Sequence, residues 1–299
     1  MNYKLGAGIV LYNPEVELLK KNVDALYNQV DKLLLYDNGS SNYQEVKSIF
    51  GNYEKIVFED GVKNRGIAFA LNKILNWANR ENYEWVLTMD QDSICSSNMI
   101  KEYTQYLEGK DIALICPFIL NNGKTTFNEY KKMDLPPISE ITDPVKCITS
   151  ACLTNVKITL KIGGYDDRLF IDCVDIDLNC RVLESGYRIV QVNTTYMTQQ
   201  MGKGRVIPLF AKLQQLTNID IFRRAKVVAT YSDMRLYYHS RNSRYIRKNY
   251  KNHGKQTTAL FVFAYYIYFS IFYPYNRSRI KMWKAMIKGF VDYKYIGKG

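Results

Sequence analysis

Asp90-Gln91-Asp92 closes an apolar run from Trp85 to Met89. Two carboxylates one residue apart repel each other unless something positive lies between them. A divalent cation is the simplest such group, and hard oxygen ligands suit Mg²⁺ or Mn²⁺. A buried strand that leaves the core at a polar edge reads this way. In an open α/β sheet, the edge at the carboxyl ends of the strands is where ligands bind. Taken alone, the same residues also fit a strand closed by an ordinary Asp-Ser turn.

Other polar clusters fall at the ends of other apolar runs. Leu5 to Tyr12 reads as a first strand, with Tyr12-Asn13 after it. Lys32 to Tyr36 reads as a second strand and runs into Asp37-Asn38-Gly39-Ser40. Ile56 to Phe58 is a short third strand, followed by Asn64-Arg65-Gly66. Between them lie helical stripes, at 16, 19, 23, 26 and 30 and again from Gly66 to Asn79. A fifth strand, Ile112 to Cys116, is stopped by Pro117. Strand–helix alternation over 116 residues predicts a mostly parallel sheet flanked by helices. Its loops would meet at one edge and line a pocket with Asp37 at one end, amides in the middle and Asp90/Asp92 at the other. That pocket suits a nucleoside diphosphate. Asp37 either accepts the imide N–H of a uracil or thymine ring or simply shapes its turn.

The chain has 299 residues, is 47% apolar and contains 25 Tyr. Its net charge of +12 is uneven. Residues 1–200 hold 21 Lys+Arg against 26 Asp+Glu, whereas residues 201–299 hold 20 against 3. So basic a tail seeks a phosphate-rich partner such as an anionic membrane surface. Nucleic acid is the other class of partner, but it leaves the acidic edge unexplained. Six Cys without a CxxC pair, and only two His, argue against structural zinc. The cysteines read as small core side chains in a reducing cytosol. The first apolar run is too short for a signal h-region.

From Asn121 to Asp143 the pattern becomes a polar loop with a short hairpin, and Pro136-Pro137 marks a mobile or capping segment. Helix resumes near Asn155 and turns at Gly163-Gly164. Another helix runs from about Asp175 to Gly186, and Arg188 to Val192 is strand. Beyond 200 the chain is helical. Gln256 to Asn276 is uncharged but interrupted by Tyr and Pro, so it reads as a buried or interfacial helix rather than a span. Ile280, Trp283, Ile287 and Phe290 share one helical face, and Arg277, Lys281, Lys284 and Lys288 another. That sidedness suits a helix lying on anionic lipid. It also suits an amphipathic helix packed on its own domain.

Several blocks together resemble family 2 glycosyltransferases of the GT-A fold. Asp37-Asn38-Gly39-Ser40 is similar to the family's base-binding turn, and Asn64 to Asn72 to its N-x-G-x-A-x-A-x-N helix start. Asp90-Gln91-Asp92 resembles its DxD metal motif. Gly163-Gly164-Tyr165-Asp166, with Phe170 to Asp177 and Arg181, resembles its acceptor-side block. Arg235 to Asn242 and Lys288 to Asp292 resemble the bacterial dTDP-rhamnose rhamnosyltransferase branch.

The resemblance implies a GT-A catalytic domain over 1–200. Residues 1–116 would bind the nucleotide sugar and 117–200 the acceptor, with a basic helical membrane-associating region over 201–299. It implies an inverting, metal-dependent enzyme that uses Mn²⁺ or Mg²⁺ and dTDP-rhamnose, with a UDP-sugar as the alternative donor. The acceptor would be a lipid-linked glycan of a surface polysaccharide. The place of work would be the inner face of the plasma membrane, with homo-oligomers left open and no nucleic acid partner. Asp175 would be the general base, with a plain helix cap as the alternative, and Asp90 and Asp92 would be the metal ligands. Tyr12, Asn13, Asp37, Asn38, Asn64, Arg65, Asp90 and Gln91 would bind the nucleotide sugar. Asp172 would bind acceptor or serve the structure, and Arg235 and Arg241 would grip acceptor or phosphate or else stand as solvated helix residues. The resemblance assigns no role to either histidine.

Two departures stand out. Val174-Asp175 replaces the family's Glu-Asp, and Gln199 stands where many relatives carry a metal-binding His. An inactive GT-A scaffold is the non-enzymatic alternative.

Overall fold

Strands β1 (Leu5–Leu11), β2 (Lys32–Asp37), β3 (Ile56–Asp60) and β4 (Trp85–Asp90) pair in parallel, in the order β3-β2-β1-β4. Their crossovers contain α1 (Val16–Tyr27), α2 (Tyr43–Phe50) and α3 (Ile67–Arg80). β1 and β4 are buried along almost their whole length, as helices on both faces require. The register aligns the carboxyl ends: Val10 lies opposite Asp90, Leu11 opposite Asp37, and Asp37 opposite Asp60. The loops after these strands therefore share one edge.

This is a computed structural model. It describes residues 3–109, 111–121, 125–199, 204–217, 219, 222, 226–229, 231–250, 252, 259–272 and 277–296. The chain forms two units. One comprises residues 1–120, 127–170 and 174–200; the other comprises 121–126, 171–173 and 201–299.

In the first unit the parallel strands continue into an antiparallel part. Its strands are β5 (Ser93–Cys95), β6 (Ile112–Asn121), β7 (Ile138–Glu140), β8 (Cys152–Asn155) and β9 (Arg188–Gln199). The helices are α4 (Met99–Tyr103), α5 (Phe127–Lys132), α6 (Val156–Lys161) and α7 (Val174–Glu184). The nine-stranded sheet continues from β4 in the order β8-β6-β9-β5, and β7 also pairs with β9. Four strand spacings on a flat sheet would separate β4 from β5 by about 19 Å. The two-residue link Gln91-Asp92 spans at most about 11 Å. The sheet must therefore curl, and the Asp90–Asp92 turn sits where it curls back.

Two expectations are corrected here. Strand β6 runs through Pro117 to Asn121. Its pairing with β8 falls at Leu114 and Ile115, before the residue that lacks an N–H. Residues 127–140 form α5 and β7 rather than a loose hairpin. β7 pairs with the distant β9, and Asn193 fastens the Pro136 and Pro137 carbonyls at 2.8 Å. The pairing is long-range, so local spacing did not reveal it. The six cysteines are free thiols, and all but Cys173 are buried.

The second unit contains an antiparallel pair, β10 (Gly204–Val206) and β11 (Val227–Ala229). Its helices are α8 (Pro208–Thr217), α9 (Asp233–Asn249), α10 (Ala259–Phe272) and α11 (Arg279–Asp292). Ile207, Leu236, Phe269, Met282 and Met286 form its core. A Cβ on Gly289 would stand 2.2 Å from the Tyr237 carbonyl, so only glycine lets α9 and α11 approach this closely. Among the described residues, no helix is long and apolar enough to cross a membrane.

Candidate active site

A chain of hydrogen bonds runs along the carboxyl edge of the first unit. The Gln91 side chain accepts from the Tyr12 amide at 2.8 Å and donates to the Tyr12 carbonyl at 3.2 Å. Asn13 Oδ1 takes both the amide and the hydroxyl of Ser41 at 2.8 Å, and its amide donates to Ser40 Oγ. Asp37 accepts the amides of Gly39 and Ser40 at 3.0 Å. Asn38 donates to Asn64 Oδ1 and the Gly66 carbonyl and accepts from the Arg65 amide. Ile67 then donates to the Phe170 carbonyl at 2.6 Å. Gly66 has φ +91°, and a Cβ there would lie 2.5 Å from that carbonyl oxygen. The four loops expected at one edge are therefore tied into one frame that reaches Phe170.

Within this frame the predicted residues differ in what they expose. Asp37 is 3% exposed and shapes its turn, and Asn38 is similarly buried. Tyr12 is 48% exposed. Arg65 is exposed and stacks over the Phe69 ring at 3.7 Å. Tyr12, Asn13, Ser41 and Arg65 are the exposed parts of the frame.

Asp90 is held through its backbone. Its amide donates to Ser150 Oγ at 3.1 Å, and its carbonyl accepts from Asn22 Nδ2 at 2.7 Å. Asn22 and Ser150 are fully buried. The sequence reading missed both. Asn22 left a signal, being an amide on the apolar stripe of α1, three residues after Leu19 and four before Leu26. Ser150 left none.

Burial pushes the Asp92 carboxyl up, and its own backbone amide pulls it partly back. A cation at this turn would favour its charged form. The donor set is carboxylate oxygen, which fits Mn²⁺ or Mg²⁺. Among the described residues, no cluster of three or more His, Cys, Asp or Glu is placed to hold a metal. The register sets Gln199 opposite Ser93, the residue after Asp92. The neighbour at this position is thus an amide, a weaker metal ligand than histidine. Gln200, Met201 and Gly202, which follow it in the motif, lie outside the described residues.

Asp175 sits in the first turn of α7, and its Oδ1 accepts from the Ile176 amide at 2.8 Å. The positive end of the helix favours a carboxylate there. Val174, the apolar residue before it, is buried. Asp177 is 1% exposed and pairs with Arg181 at 2.6 Å, while Arg181 also caps the Ile162 carbonyl. Asn72 clasps the main chain of Tyr165 from both sides, at 2.7 and 2.8 Å. The end of one resembling block therefore holds the start of another.

The remaining candidates lie in the second unit. Asp172 and Cys173 both take left-handed backbone, at φ 65° and 62°, which is unusual away from glycine. Asp172 Oδ1 accepts from Arg235 at 3.1 and 3.2 Å, and Asn242 donates to the carbonyls of Ile171 and Asp172. Arg241 donates to Asn242 Oδ1 and lies over the Tyr238 ring at 4.7 Å. Tyr237 donates to Asp292 at 2.9 Å, and Ser240 to the Met286 carbonyl at 2.7 Å. Burial lowers the His239 pKa. His253 lies outside the described residues.

The comparisons with known proteins agree with this geometry. The dTDP-rhamnosyl transferase RfbF of Shigella flexneri is 26% identical over 84% of this chain and 82% of its own length. Residues 1–349 of S. aureus TarS, solved with UDP-GlcNAc, superpose with a TM-score of 0.58 at 14% identity, over 98% of this chain and 81% of that piece. GalNAc-T7, solved with UDP, GalNAc and Mn²⁺, gives 0.55 at 11% identity and 98% coverage, and this chain spans 56% of its length. The two structural likenesses establish the GT-A-like fold. The glycosyl transferase family 2 profile matches residues 7–160, which contain β1 to β4, the Asp90–Asp92 turn and the hydrogen-bonded loops. The chain therefore belongs to glycosyl transferase family 2.

Proposed function

We propose that this glycosyltransferase moves L-rhamnose, with inversion, from dTDP-β-L-rhamnose to a hydroxyl of a lipid-linked glycan in bacterial surface polysaccharide synthesis. The observation that carries the reading is the hydrogen-bonded edge joining the loops after β1, β2, β3 and β4. In this reading Tyr12, Asn13, Asn38, Asn64, Arg65 and Gln91 would form the donor-binding rim, with Asp90 and Asp92 at its end. The rhamnose donor is argued from the likeness to RfbF along most of both chains.

In this mechanism Asp37 holds the turn that meets the base, and the Tyr12 ring offers the base a face. Arg65 faces the diphosphate. Asp90 and Asp92 would hold Mn²⁺ or Mg²⁺, which supplies positive charge against the leaving diphosphate. The acceptor oxygen bonds to the anomeric carbon as the bond from that carbon to the diphosphate oxygen breaks. Asp175 takes the acceptor's proton, a contribution typically worth about 10²–10⁴-fold. The inverted glycoside and dTDP leave. Work beside an anionic membrane follows from the basic second unit, which would bring the enzyme to a lipid-borne acceptor.

A UDP-sugar donor is the second reading, favoured by the nucleotides in the TarS and GalNAc-T7 structures. Nucleotide release from a panel of dTDP- and UDP-sugars, with Mn²⁺ or Mg²⁺ and with chelator, separates the two. Release from dTDP-rhamnose alone, abolished by chelator, is expected. Release from UDP-sugars alone overturns the donor, and chelator-resistant release overturns the role of Asp90 and Asp92.

A further inference from the structure

Helix α11 has two apolar faces where one would suffice for packing. Met282, Met286 and Gly289 are buried and join the core of the second unit. At 100° per residue, Ile280, Ile287 and Val291 fall within about 40° of one another on the opposite side. They are 69%, 55% and 47% exposed. Exposed isoleucines scattered singly need no explanation, but a stripe over three turns of one helix does. The sequence grouped Ile280 and Ile287 correctly but not the buried face. The methionine side does the packing, so the isoleucine stripe is not accounted for by the helix's own domain.

The flanks of the stripe indicate what covers it. Lys284 and Lys288 border it directly, Lys281 lies just beyond, and all three are exposed. On the other border, Trp283 packs against Tyr266 and Phe290 lies under Arg244 at 3.7 Å. The one acidic side chain of the helix, Asp292, accepts a hydrogen bond from Tyr237 and so is tied inward. An apolar stripe bordered by lysines, with an indole at its margin, matches a helix lying in the headgroup region of an anionic bilayer. A protein partner would need acidic groups placed to meet these lysines. A negatively charged lipid surface meets them without specific placement.

We propose that α11 docks the protein flat on an anionic bilayer through Ile280, Ile287 and Val291, with Lys281, Lys284 and Lys288 against lipid phosphates. The inference rests on the proposed work at a membrane-borne acceptor, and it names the surface that does the docking.

The test is co-sedimentation of the full chain with vesicles of phosphatidylcholine alone or mixed with phosphatidylglycerol. Binding is expected to the mixed vesicles and to weaken with salt. Ile280→Asp with Ile287→Asp should weaken it by about 100-fold or more. Lys281→Ser with Lys284→Ser should weaken it by about 25-fold, at roughly fivefold for each charge. Circular dichroism and the melting temperature confirm that the variants fold, and the lysine pair serves if the aspartate pair does not. Equal binding to both vesicle types, or wild-type binding by the lysine pair, would overturn the proposal. So would a solution dimer that the aspartate pair turns into monomer, because the stripe would then be covered by a second copy. Nucleotide release measured without vesicles reports separately on the transferase. Intact release with no vesicle binding sinks only the docking surface, and the converse sinks only the transferase reading.

Discussion

The carboxyl edge of the first unit and the α9–α11 pair of the second both carry residues that resemble family motifs, but they use them differently. At the edge, the side chains of Asn13, Asp37, Asn38, Asn64 and Gln91 are spent on fixing four loops, while Tyr12 and Arg65 stay exposed. In the helix pair, Tyr237, Ser240, Asn242, Gly289 and Asp292 bond or pack within the unit itself. Arg235, read as either a phosphate or acceptor contact or a solvated helix residue, meets Asp172. Motif likeness thus falls on a hydrogen-bonded loop edge in one region and on a packing interface in the other. Only the side-chain partners separate the two.

That contrast predicts that damage to the two regions shows up in different measurements. The largest effect should come from Asp90→Asn combined with Asp92→Asn. Turnover of the nucleotide sugar should fall about 10²–10³-fold, as when charge stabilisation is removed from a developing oxyanion. The melting temperature should hardly move. Loss of both together would make these residues structural and erase the contrast.

Gly289→Leu should do the reverse. Inserting a side chain against the Tyr237 carbonyl should cost about 3 kcal/mol of stability, read by thermal denaturation. Turnover per folded molecule should persist. A smaller effect is expected from Asn38→Ala, which removes the partner of the Arg65 amide and leaves Asn64 to hold Gly66. We expect about 1–3 kcal/mol of destabilisation together with weaker donor binding, seen as a higher KM.

The smallest effect concerns pH. Burial depresses the His239 pKa; the Asp172 charge opposes this and Arg235 adds to it. The folded state therefore keeps the ring neutral at pH values where the unfolded chain, with an ordinary pKa of about 6.5, already takes a proton. Stability should be level above that pH and fall as pH drops below it, by at most about 1.4 kcal/mol per unit. Melting curves from pH 7.5 to 5 should show this, and His239→Gln should flatten the dependence.

Much of the edge was legible because its signals are local. Each strand ends where an apolar run meets Asp, Asn or Gly, and the helices repeat their apolar residues in one stripe. The parallel register then brings the turns together without further information. The antiparallel half was harder to read because its pairings are long-range. β8 is a four-residue strand between β4 and β6, and β7 finds β9 from about 50 residues away. Asn22 was detectable as a polar residue on an apolar stripe, whereas Ser150 acquires meaning only when β4 lies beside it. On α11, the faces were drawn from hydropathy, and methionine and glycine did not announce themselves as the packing side. A Gly at a helix crossing is visible as a residue, but its reason is the neighbouring helix.

The most direct test of the central claim is donor binding and glycosyl transfer measured side by side for Asp175→Asn. The claim holds that the α7 carboxylate moves the acceptor proton and has no part in holding the nucleotide. Donor affinity should equal that of the unaltered enzyme, and transfer should fall about 10²–10⁴-fold. Transfer at the unaltered rate would contradict the account.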